Sequence, residues 1–360
     1  MMLLRARKST LTLSLALALA PHVAPAQEDC PVDARARGSV VGAVANALQR
    51  YIDPDVAAAM DRDIRARRAK GEYDAVAGAN AFAKLLTSQL RAISHDKHIV
   101  VEASCAPIPQ PSASVESPAA AAERQERARR ESAFANFGFR RVERLAGNVG
   151  YLDLSVFDRV EFGRETAAAA MKFVANSDAL IIDLRDNDGG RPEMVALLIS
   201  YLVERPAQLT GIYWRRDGRI AESRTIDIAD NLKYLGKKVY VLTSGVGTVS
   251  AAEAFAYDLK LLKRATVVGE ISAGAANPGG MVRLTEHFRM FVPTGRAVSP
   301  ISGTNWEGIG VKPDVETSAA SALKVAHLDA LRSLEAAATD EERRTYLQSA
   351  IEKVEKQSPR

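Results

Sequence analysis

Apolar residues in the first third of the chain recur with the spacing of an α-helix. Between residues 34 and 93 they lie three or four positions apart, which gives each helix one apolar face. Asp53-Pro54-Asp55 interrupts the pattern and suits the start of a second helix, which Gly71 ends. We predict three helices followed by a short strand, at Val40–Tyr51, Val56–Lys70, Asp74–Ile93 and Ile99–Val101.

From about Phe137 the pattern changes to short apolar runs that alternate with helical stretches. Continuous apolar runs indicate strands that are covered on both faces, as in α/β folds. The predicted fold class is therefore α/β, with a small helical module before it. The strands are expected at Val149–Leu154, Ala179–Leu184, Val239–Thr243, Thr266–Gly269 and Arg289–Val292, and the helices at Arg164–Ala175, Met194–Val203, Ser250–Leu261 and within Ala319–Glu355.

Changes in composition divide the chain. Residues 106–122 are rich in Pro, Ser and Ala, which is typical of a linker. Residues 123–131 alternate charges and predict a solvated helix. The expected parts are a signal peptide, a helical module, a linker, an α/β core and a C-terminal helical tail, at residues 1–26, 27–105, 106–136, 137–318 and 319–360.

The first 26 residues have the pattern of a secretory signal peptide. Arg5, Arg7 and Lys8 precede a short apolar stretch, Leu11–Ala20, and Ala24-Pro25-Ala26 offers a cleavage site. The apolar stretch is shorter than the ~20 residues that span a bilayer. We predict cleavage before Gln27 and export, to the periplasm or the outside of the cell. An internal helix or a membrane anchor is the alternative.

Composition and charge then narrow the choice of partners. Hydrophobic residues make up 47% of the 360, which excludes a disordered chain. The formal net charge is +4, but the signal peptide carries three basic and no acidic residues, so the mature chain would have +1. No nucleic-acid partner and no stable membrane insertion are therefore expected. In an exported chain Cys30 and Cys105 could form a disulfide, or remain two free thiols.

A turn of small residues follows the strand that is predicted to end near Leu242. Thr243–Val249 leads to a helix that begins near Ser250. Free N–H groups and the helix dipole at such an N-terminus favour negative charge, and acyl transfer creates an oxyanion beside its nucleophile. Ser250 is therefore a candidate nucleophile. The alternative is that Ser250 only caps the helix.

A second predicted strand runs into a polar turn that ends in two glycines. Gly189 and Gly190 precede Pro192-Glu193, which opens a helix. Adjacent glycines allow a backbone N–H to point into a pocket, as an oxyanion-hole donor does. An ordinary strand-to-helix turn is the alternative. The turn lacks the Gly-Lys-Ser/Thr ending of a phosphate loop.

Two further segments carry candidate acid–base residues. Ser94–His98 holds two of the five histidines, and His98 could act as a general base if the fold brings it near a nucleophile. Glu307, beside Trp306 in a glycine-rich segment, could orient an imidazole or simply be a surface acid. No set of ligands has the spacing of a metal site, so neither a metal nor an organic cofactor is predicted.

Together these segments resemble the S41 family of serine peptidases, which includes tail-specific and tricorn-type proteases. The likeness is greatest to the branch that includes interphotoreceptor retinoid-binding protein, and it covers most of the mature chain. It is carried, in the family's order, by Ser94–His98, Asp183–Gly190, Ser250–Glu253, Val268–Glu270 and Trp306–Asp314.

The resemblance implies a fold and a catalytic arrangement. It implies a ClpP/crotonase-like core of ββα units and a tricorn-type triad of Ser250, His98 and Glu307. The lysine of a Ser–Lys dyad is missing from residues 269–278. By the same resemblance, Ser250 is the nucleophile, His98 the base and Glu307 the residue that orients it. The oxyanion donors would be the N–H of Ala251 and that of Gly189 or Gly190.

The predicted function is that of an exported serine peptidase. It would hydrolyse peptides or unfolded polypeptides through an acyl-enzyme, with no cofactor. The alternative is a catalytically weak or inactive homologue that binds apolar small molecules, as the retinoid-binding relatives do. A crotonase-like acyl-CoA enzyme shares the core fold but does not suit an exported chain.

Overall fold

The computed structural model describes residues 29–110 and 117–358. The predicted signal peptide and its cleavage site before Gln27 lie outside the described residues. Part of the predicted linker, residues 111–116, also lies outside them. All statements below concern the described ranges.

Helices and strands alternate through most of the described chain. The helices are α1 (Ala34–Leu48), α2 (Pro54–Ala69), α3 (Ala79–Ser94), α4 (Pro118–Phe134), α5 (Val160–Val174), α6 (Pro192–Ser200), α7 (Ala251–Leu261), α8 (Ala319–Ala336) and α9 (Glu341–Glu355). The strands are β1 (Val100–Ala103), β2 (Phe139–Leu145), β3 (Val149–Leu154), β4 (Ala179–Asp183), β5 (Gln208–Trp214), β6 (Arg219–Arg224), β7 (Lys238–Thr243), β8 (Thr266–Gly269), β9 (Gly279–Arg283), β10 (Phe288–Pro293), β11 (Gly295–Val298) and β12 (Val315–Glu316).

A six-stranded sheet forms the centre of the larger part of the molecule. Its order is β12-β8-β7-β4-β3-β2, with β2 antiparallel to β3 and the remaining pairs parallel. Every residue of β3 and β4 is buried, as expected for parallel strands that are covered on both faces. This confirms the predicted mixed α/β class.

The two faces of this sheet are covered by different helices. Leu180 and Ile182 of β4 belong to a core formed with α5, α6 and α7. Ala179 and Ile181 alternate with them and belong to a second core formed with α8 and α9. The C-terminal helices therefore form one of the two covering layers of the sheet.

The helical module is joined to a strand from the later part of the chain. β1 pairs with β10, which pairs with β9, so these strands form a three-stranded sheet in the order β1-β10-β9. Phe288, Met290 and Val292 of β10 lie in the same core as α1, α2 and α3. Cys30 and Cys105 are paired as a disulfide, with Cα atoms 5.7 Å apart.

The structure confirms four of the five strands predicted for the core, places the fifth, Arg289–Val292, in β10 of the sheet β1-β10-β9, and corrects some boundaries. Helix α3 begins at Ala79, five residues later than predicted, because Gly78 occupies the N-cap in an extended conformation. Helix α4 buries none of its residues, as predicted for a solvated helix. Sequence reasoning missed the sheet β11-β5-β6, because residues of β6 are mostly exposed and carry no apolar alternation. Among the described helices, none is both long and apolar enough to cross a membrane.

Helix α7 is held to strand β5 by a buried carboxylate. Asp258 accepts hydrogen bonds from Thr210, through the backbone N–H at 3.1 Å and the hydroxyl at 2.6 Å, both to Oδ1. Burial raises the pKa of Asp258 from 3.8 to about 6, although these hydrogen bonds oppose the shift. Because the folded-state pKa lies above the ordinary value, the charged carboxylate lowers folding stability as the pH rises through 6.

Replacing Asp258 by Asn should therefore stabilise the protein at neutral and higher pH. An amide oxygen can accept both hydrogen bonds from Thr210 without a charge, so at about pH 8 we expect a gain of about 3 kcal/mol. The gain should shrink towards about pH 4, where the carboxyl is protonated in the folded state. Urea unfolding at the two pH values measures both quantities.

Asp258→Ala is the matched control for this experiment. It leaves the buried Thr210 N–H without an acceptor and should be less stable than Asp258→Asn by about 1–3 kcal/mol at both pH values. If Asp258→Asn is less stable than the wild-type protein at pH 8, then the buried charge of Asp258 does not lower folding stability as described.

Candidate active site

Ser250 stands at the N-terminus of α7, in the turn that follows β7. Its backbone has φ +57° and ψ −113°, a region that non-glycine residues rarely occupy. The turn before it is fixed by Thr248, whose hydroxyl donates to Leu184 O at 2.7 Å and accepts from Ser244 N–H at 2.8 Å. These bonds anchor the turn to the end of β4 and hold Ser250 in its strained conformation.

The carboxylate of Glu253 lies directly beneath this turn. It is completely buried. Its Oε1 accepts from Ser272 Oγ and Gly274 N–H, both at 2.6 Å, and its Oε2 accepts from Ser250 N–H and Ala275 N–H, both at 2.9 Å. Burial raises the pKa of Glu253, and these four donors partly oppose the rise. One side chain thus ties the N-terminus of α7 to the segment Ser272–Asn277.

The two-glycine turn after β4 packs against Ser250. A Cβ atom at Gly189 would lie 2.9 Å from Ser250 Cβ, and a Cβ at Gly190 would lie 2.1 Å from Phe157 O, so neither position accommodates a side chain. Both residues have positive φ, +90° and +130°. The turn therefore depends on glycine for both its space and its conformation.

Asn187 sets this turn relative to the neighbouring strands. It is completely buried, donates from Nδ2 to Leu154 O at 2.7 Å, and accepts at Oδ1 from Gly189 N–H at 2.9 Å. Because the N–H of Gly189 is already used, it is not a free oxyanion donor. The hydrogen bonds of the described residues include none from the N–H of Gly190 or Ala251.

His98 lies in the short loop between α3 and β1. Its ring stacks on Phe291 of β10, with centroids 5.7 Å apart, and is mostly buried. Its Nδ1 is buried and has no hydrogen-bond partner in the described part of the chain. Burial lowers the pKa of His98, an effect that Asp96 partly offsets. The imidazole is thus neutral in its resting state at neutral pH.

Glu307 approaches the same histidine from the loop that precedes β12. Its Oε2 accepts from Ala276 N–H at 2.5 Å, whereas Oε1 is buried without a partner among the described residues. Burial, together with the charge of Asp96, raises the pKa of Glu307 to about 7. This carboxyl therefore titrates close to neutral pH.

Sequence analysis missed Asp96, which completes the cluster. Asp96 is 1% exposed and accepts from Tyr51 OH at 3.1 Å, from Asn277 Nδ2 at 2.9 Å and from His98 N–H at 2.9 Å. Its Oδ1 lies 3.9 Å from His98 Nδ1. The one sequence signal for Asp96 is its position two residues before His98. Its other partners, Tyr51 and Asn277, are distant in sequence.

One grouping of possible metal ligands occurs among the described residues, and it coincides with this cluster. One ligand atom from each of Asp96, His98 and Glu307 lies within 4.8 Å of the others. The grouping offers three protein ligands. The same three residues also form a histidine flanked by two carboxylates, which is an arrangement suited to acid–base chemistry.

The segment Ser272–Asn277 connects the serine with the histidine cluster. Two of its N–H groups and the Ser272 hydroxyl bind Glu253 beneath Ser250. The next N–H, from Ala276, binds Glu307, and the Asn277 side chain binds Asp96. Among the described residues, no hydrogen bond joins Ser250 Oγ to His98. The structure thus brings His98 and Glu307 together and links Ser250 to them through this segment.

Comparison with known families relates this chain to peptidases. Residues 148–317 match peptidase family S41, and residues 34–140 match the N-terminal domain of peptidase S41 in eukaryotic IRBP. The solved structure of a protein from Parabacteroides merdae aligns over 88% of this chain and 96% of its own, with 15% identity and a TM-score of 0.53. This last likeness concerns the fold.

Two curated relatives are named as proteases. A carboxy-terminal-processing protease of Bartonella bacilliformis is 28% identical over 180 residues, which are 48% of this chain and 39% of its own length. A chloroplastic C-terminal processing peptidase of Tetradesmus obliquus is 31% identical over 177 residues, which are 47% of this chain and 35% of its own length. The chain thus spans less than two fifths of the length of these relatives.

Replacing Glu253 by Ala should destabilise the whole protein. The substitution leaves three backbone N–H groups and one hydroxyl without their acceptor in a buried site. We expect a loss of about 3–5 kcal/mol in the free energy of unfolding, measured in urea.

Glu342→Ala, at an exposed position of α9, is the control and should change stability by less than about 0.5 kcal/mol. Equal stability of the two variants would show that Glu253 does not organise the turn.

Proposed function

Because the chain belongs to peptidase family S41, we propose that it is a serine-type endopeptidase that hydrolyses peptides or unfolded polypeptides. In this proposal Ser250 is the nucleophile, His98 the general base and Glu307 the group that orients His98. The oxyanion donors are the N–H of Ala251 and the N–H of Gly190.

The first half of the reaction forms an acyl-enzyme. Ser250 Oγ attacks the scissile carbonyl carbon while an imidazole nitrogen of His98 takes the hydroxyl proton. The negative charge that develops on the carbonyl oxygen is stabilised by two N–H groups at the start of α7 and in the glycine turn. His98 then gives its proton to the leaving amine as the C–N bond breaks.

The second half returns the enzyme to its starting state. Water gives a proton to His98 and attacks the ester carbonyl, and the proton then passes to Ser250 Oγ as the ester bond breaks. In both halves an ionised Glu307 holds the neutral imidazole of His98 in one tautomer and stabilises the imidazolium once it forms. The buried and unpartnered atoms Nδ1 of His98 and Oε1 of Glu307 are suited to this contact.

The observation that carries the proposal is the segment Ser272–Asn277. At one end it is bonded to Glu253 beneath Ser250, and at the other to Glu307 and Asp96 beside His98. Such a connection holds three groups from distant parts of the chain in one site. Catalytic hydrogen bonds are often loose before substrate binds, so the missing Ser250–His98 bond is compatible with this role.

We also propose that the protein acts after export. The basic, apolar and small-residue pattern of residues 1–26 supports a signal peptide. The pairing of Cys30 with Cys105 supports an oxidising compartment, such as the periplasm or the cell exterior.

Labelling with a fluorophosphonate tests the nucleophile. The wild-type protein should form a covalent adduct at Ser250, and Ser250→Ala should lose both the adduct and peptide hydrolysis, by roughly 10³-fold or more. Ser302→Ala, at an exposed serine, is the control and should label normally. Absence of labelling and of hydrolysis in the wild-type protein would contradict the proposal.

The pH profile tests the histidine cluster. Activity should fall as the pH drops through about 7, where Glu307 becomes protonated, because a neutral carboxyl no longer stabilises the imidazolium. The charge of Asp96 raises the pKa of both Glu307 and His98, whereas Arg91 lowers that of His98. Asp96→Asn should therefore move the acidic limb of kcat/KM to lower pH.

Asp55→Asn, which neutralises an exposed aspartate of α2, is the control for this profile. It should leave the acidic limb where it is in the wild-type protein. A limb that stays in place, or moves to higher pH, in Asp96→Asn would contradict the coupling between Asp96 and Glu307.

A further inference from the structure

Among the described residues, strand β9 pairs only with β10, so it is an edge of the three-stranded sheet β1-β10-β9. The N–H of Leu284 donates to Phe288 O, so these two residues form a hydrogen-bonded pair of the antiparallel ladder. Bonded and non-bonded pairs alternate along such a ladder. With the observed register, the N–H and C=O groups that point away from β10 belong to Gly279, Met281 and Arg283.

Within its own residues, strand β9 lacks three features that commonly protect an edge strand. Such strands are commonly blunted by proline, lysine or a bulge. Here two glycines and Met281, which is 43% exposed, precede a single arginine, and the pairing with β10 is regular. The edge is therefore a ready template for another extended segment.

A groove of about 480 Å³ runs beside this edge. It is lined by the five residues of β9 and by Arg50, Gln110, Val292 and Thr294. A Cβ atom at Gly280 would meet nothing within 4 Å, so the groove is open above that glycine. Its size is that of a binding cleft.

The groove carries positive charge. Arg50 is exposed just after α1, and no acidic side chain pairs with it in the described part of the chain. Arg283 lies at the other end of β9, where its Nε donates to Ile108 O. Both guanidinium groups favour an acidic ligand.

Strand β9 lies next to the candidate active site. Asn277, which binds Asp96 beside His98, lies two residues before β9 begins. Met281 is paired with Phe291, on which the His98 ring stacks. An extended chain that follows β9 is thus led towards His98.

We propose that a peptide substrate binds as a fourth strand along β9, with an acidic side chain against Arg50. The proposal rests on the peptidase function proposed above and names its substrate class, an extended peptide with a carboxylate at a distance from the scissile bond. Gly280 lies five positions after Ala275, which is beside Ser250. At ~3.3 Å per residue this is ~16 Å, so the acidic residue lies roughly five positions from the bond that is cut.

Binding to the Ser250→Ala protein tests the groove without requiring catalysis. The probe is a fluorescein-labelled Thr/Val-rich peptide of about twelve residues with one Glu, and the Glu is moved along the peptide in a series. Fluorescence anisotropy should detect binding, with the tightest binding at one position of the Glu. Replacing that Glu by Gln should weaken binding about 5-fold.

The backbone pairing is tested by Met281→Pro. The N–H of Met281 points outward, so proline removes it without breaking a bond to β10. We expect at least about 10-fold weaker peptide binding, whereas Met281→Ala, which keeps the N–H, should lose much less. Equal binding by a folded Met281→Pro protein would overturn the proposal.

Gly280→Phe tests the same groove if Met281→Pro fails to fold. The new side chain enters open space and fills the cleft, and it should block peptide binding about 10-fold, while Gly280→Ala should not. Binding that survives in Gly280→Phe would overturn the proposal independently of Met281→Pro.

The charge is tested by Arg50→Gln, with Arg219→Gln on the exposed strand β6 as the control. Arg50→Gln should abolish the preference for the Glu peptide over the Gln peptide, and Arg219→Gln should keep it. A preference that survives in Arg50→Gln would overturn the role of Arg50.

Sedimentation velocity tests whether a second copy of the chain, rather than a peptide, pairs with β9. If the Met281→Pro substitution dissociates a dimer and leaves peptide binding intact, then β9 pairs two copies of the chain, and the proposal is wrong. If the wild-type protein binds the peptide tightly but does not hydrolyse it, the peptidase function is contradicted, whereas the proposed peptide-binding groove is still supported.

Discussion

The buried carboxylate of Glu253 is the interaction on which the candidate site depends. It collects four donors, one from the nucleophile turn and three from the segment Ser272–Asn277, in a place that water does not reach. That segment also binds Glu307 with the Ala276 N–H and Asp96 with the Asn277 side chain. The position of Ser250 relative to His98 is therefore set through backbone amides rather than by a direct contact between the two side chains. An unpaired carboxylate or amide at this buried position would raise the free energy of the folded state. Other arrangements of the turn and the segment, which would leave such groups unpaired, are therefore disfavoured.

A large part of the fold could be predicted from the sequence, because the buried strands are continuous apolar runs. Strands β3, β4, β7 and β8 follow directly from such runs. Strand β6 could not be found in this way, because its residues face solvent and its pairing with β5 depends on the rest of the fold. The candidate triad was found from the order of motifs in a resembling family. Asp96 was missed because its partner Asn277 lies 181 residues away in sequence. The role of Glu253 was missed because nothing in the sequence of the segment that it binds signals this contact.

The helical module contributes directly to the chemistry of the site. It supplies Asp96 and the Tyr51 hydroxyl that binds it, and the loop after α3 carries His98. The module is attached through β1 to β10, and β10 also supplies Phe291 beneath the histidine ring. A division into a helical module and an α/β core therefore describes the sequence better than it describes the site, which lies where the two meet.

The Cys30–Cys105 pair closes a covalent ring around the part of the chain that carries the histidine. The two cysteines are separated by 75 residues, and the ring encloses α1, α2, α3 and β1. Closing a loop of this length lowers the entropy of the unfolded chain by an amount worth about 4 kcal/mol. The order of events after synthesis thus matters, since the histidine half of the site gains this stability only once the thiols have been oxidised. A chain that stays in a reducing environment would lack this link, and the part of the site that carries His98 would be less stable there.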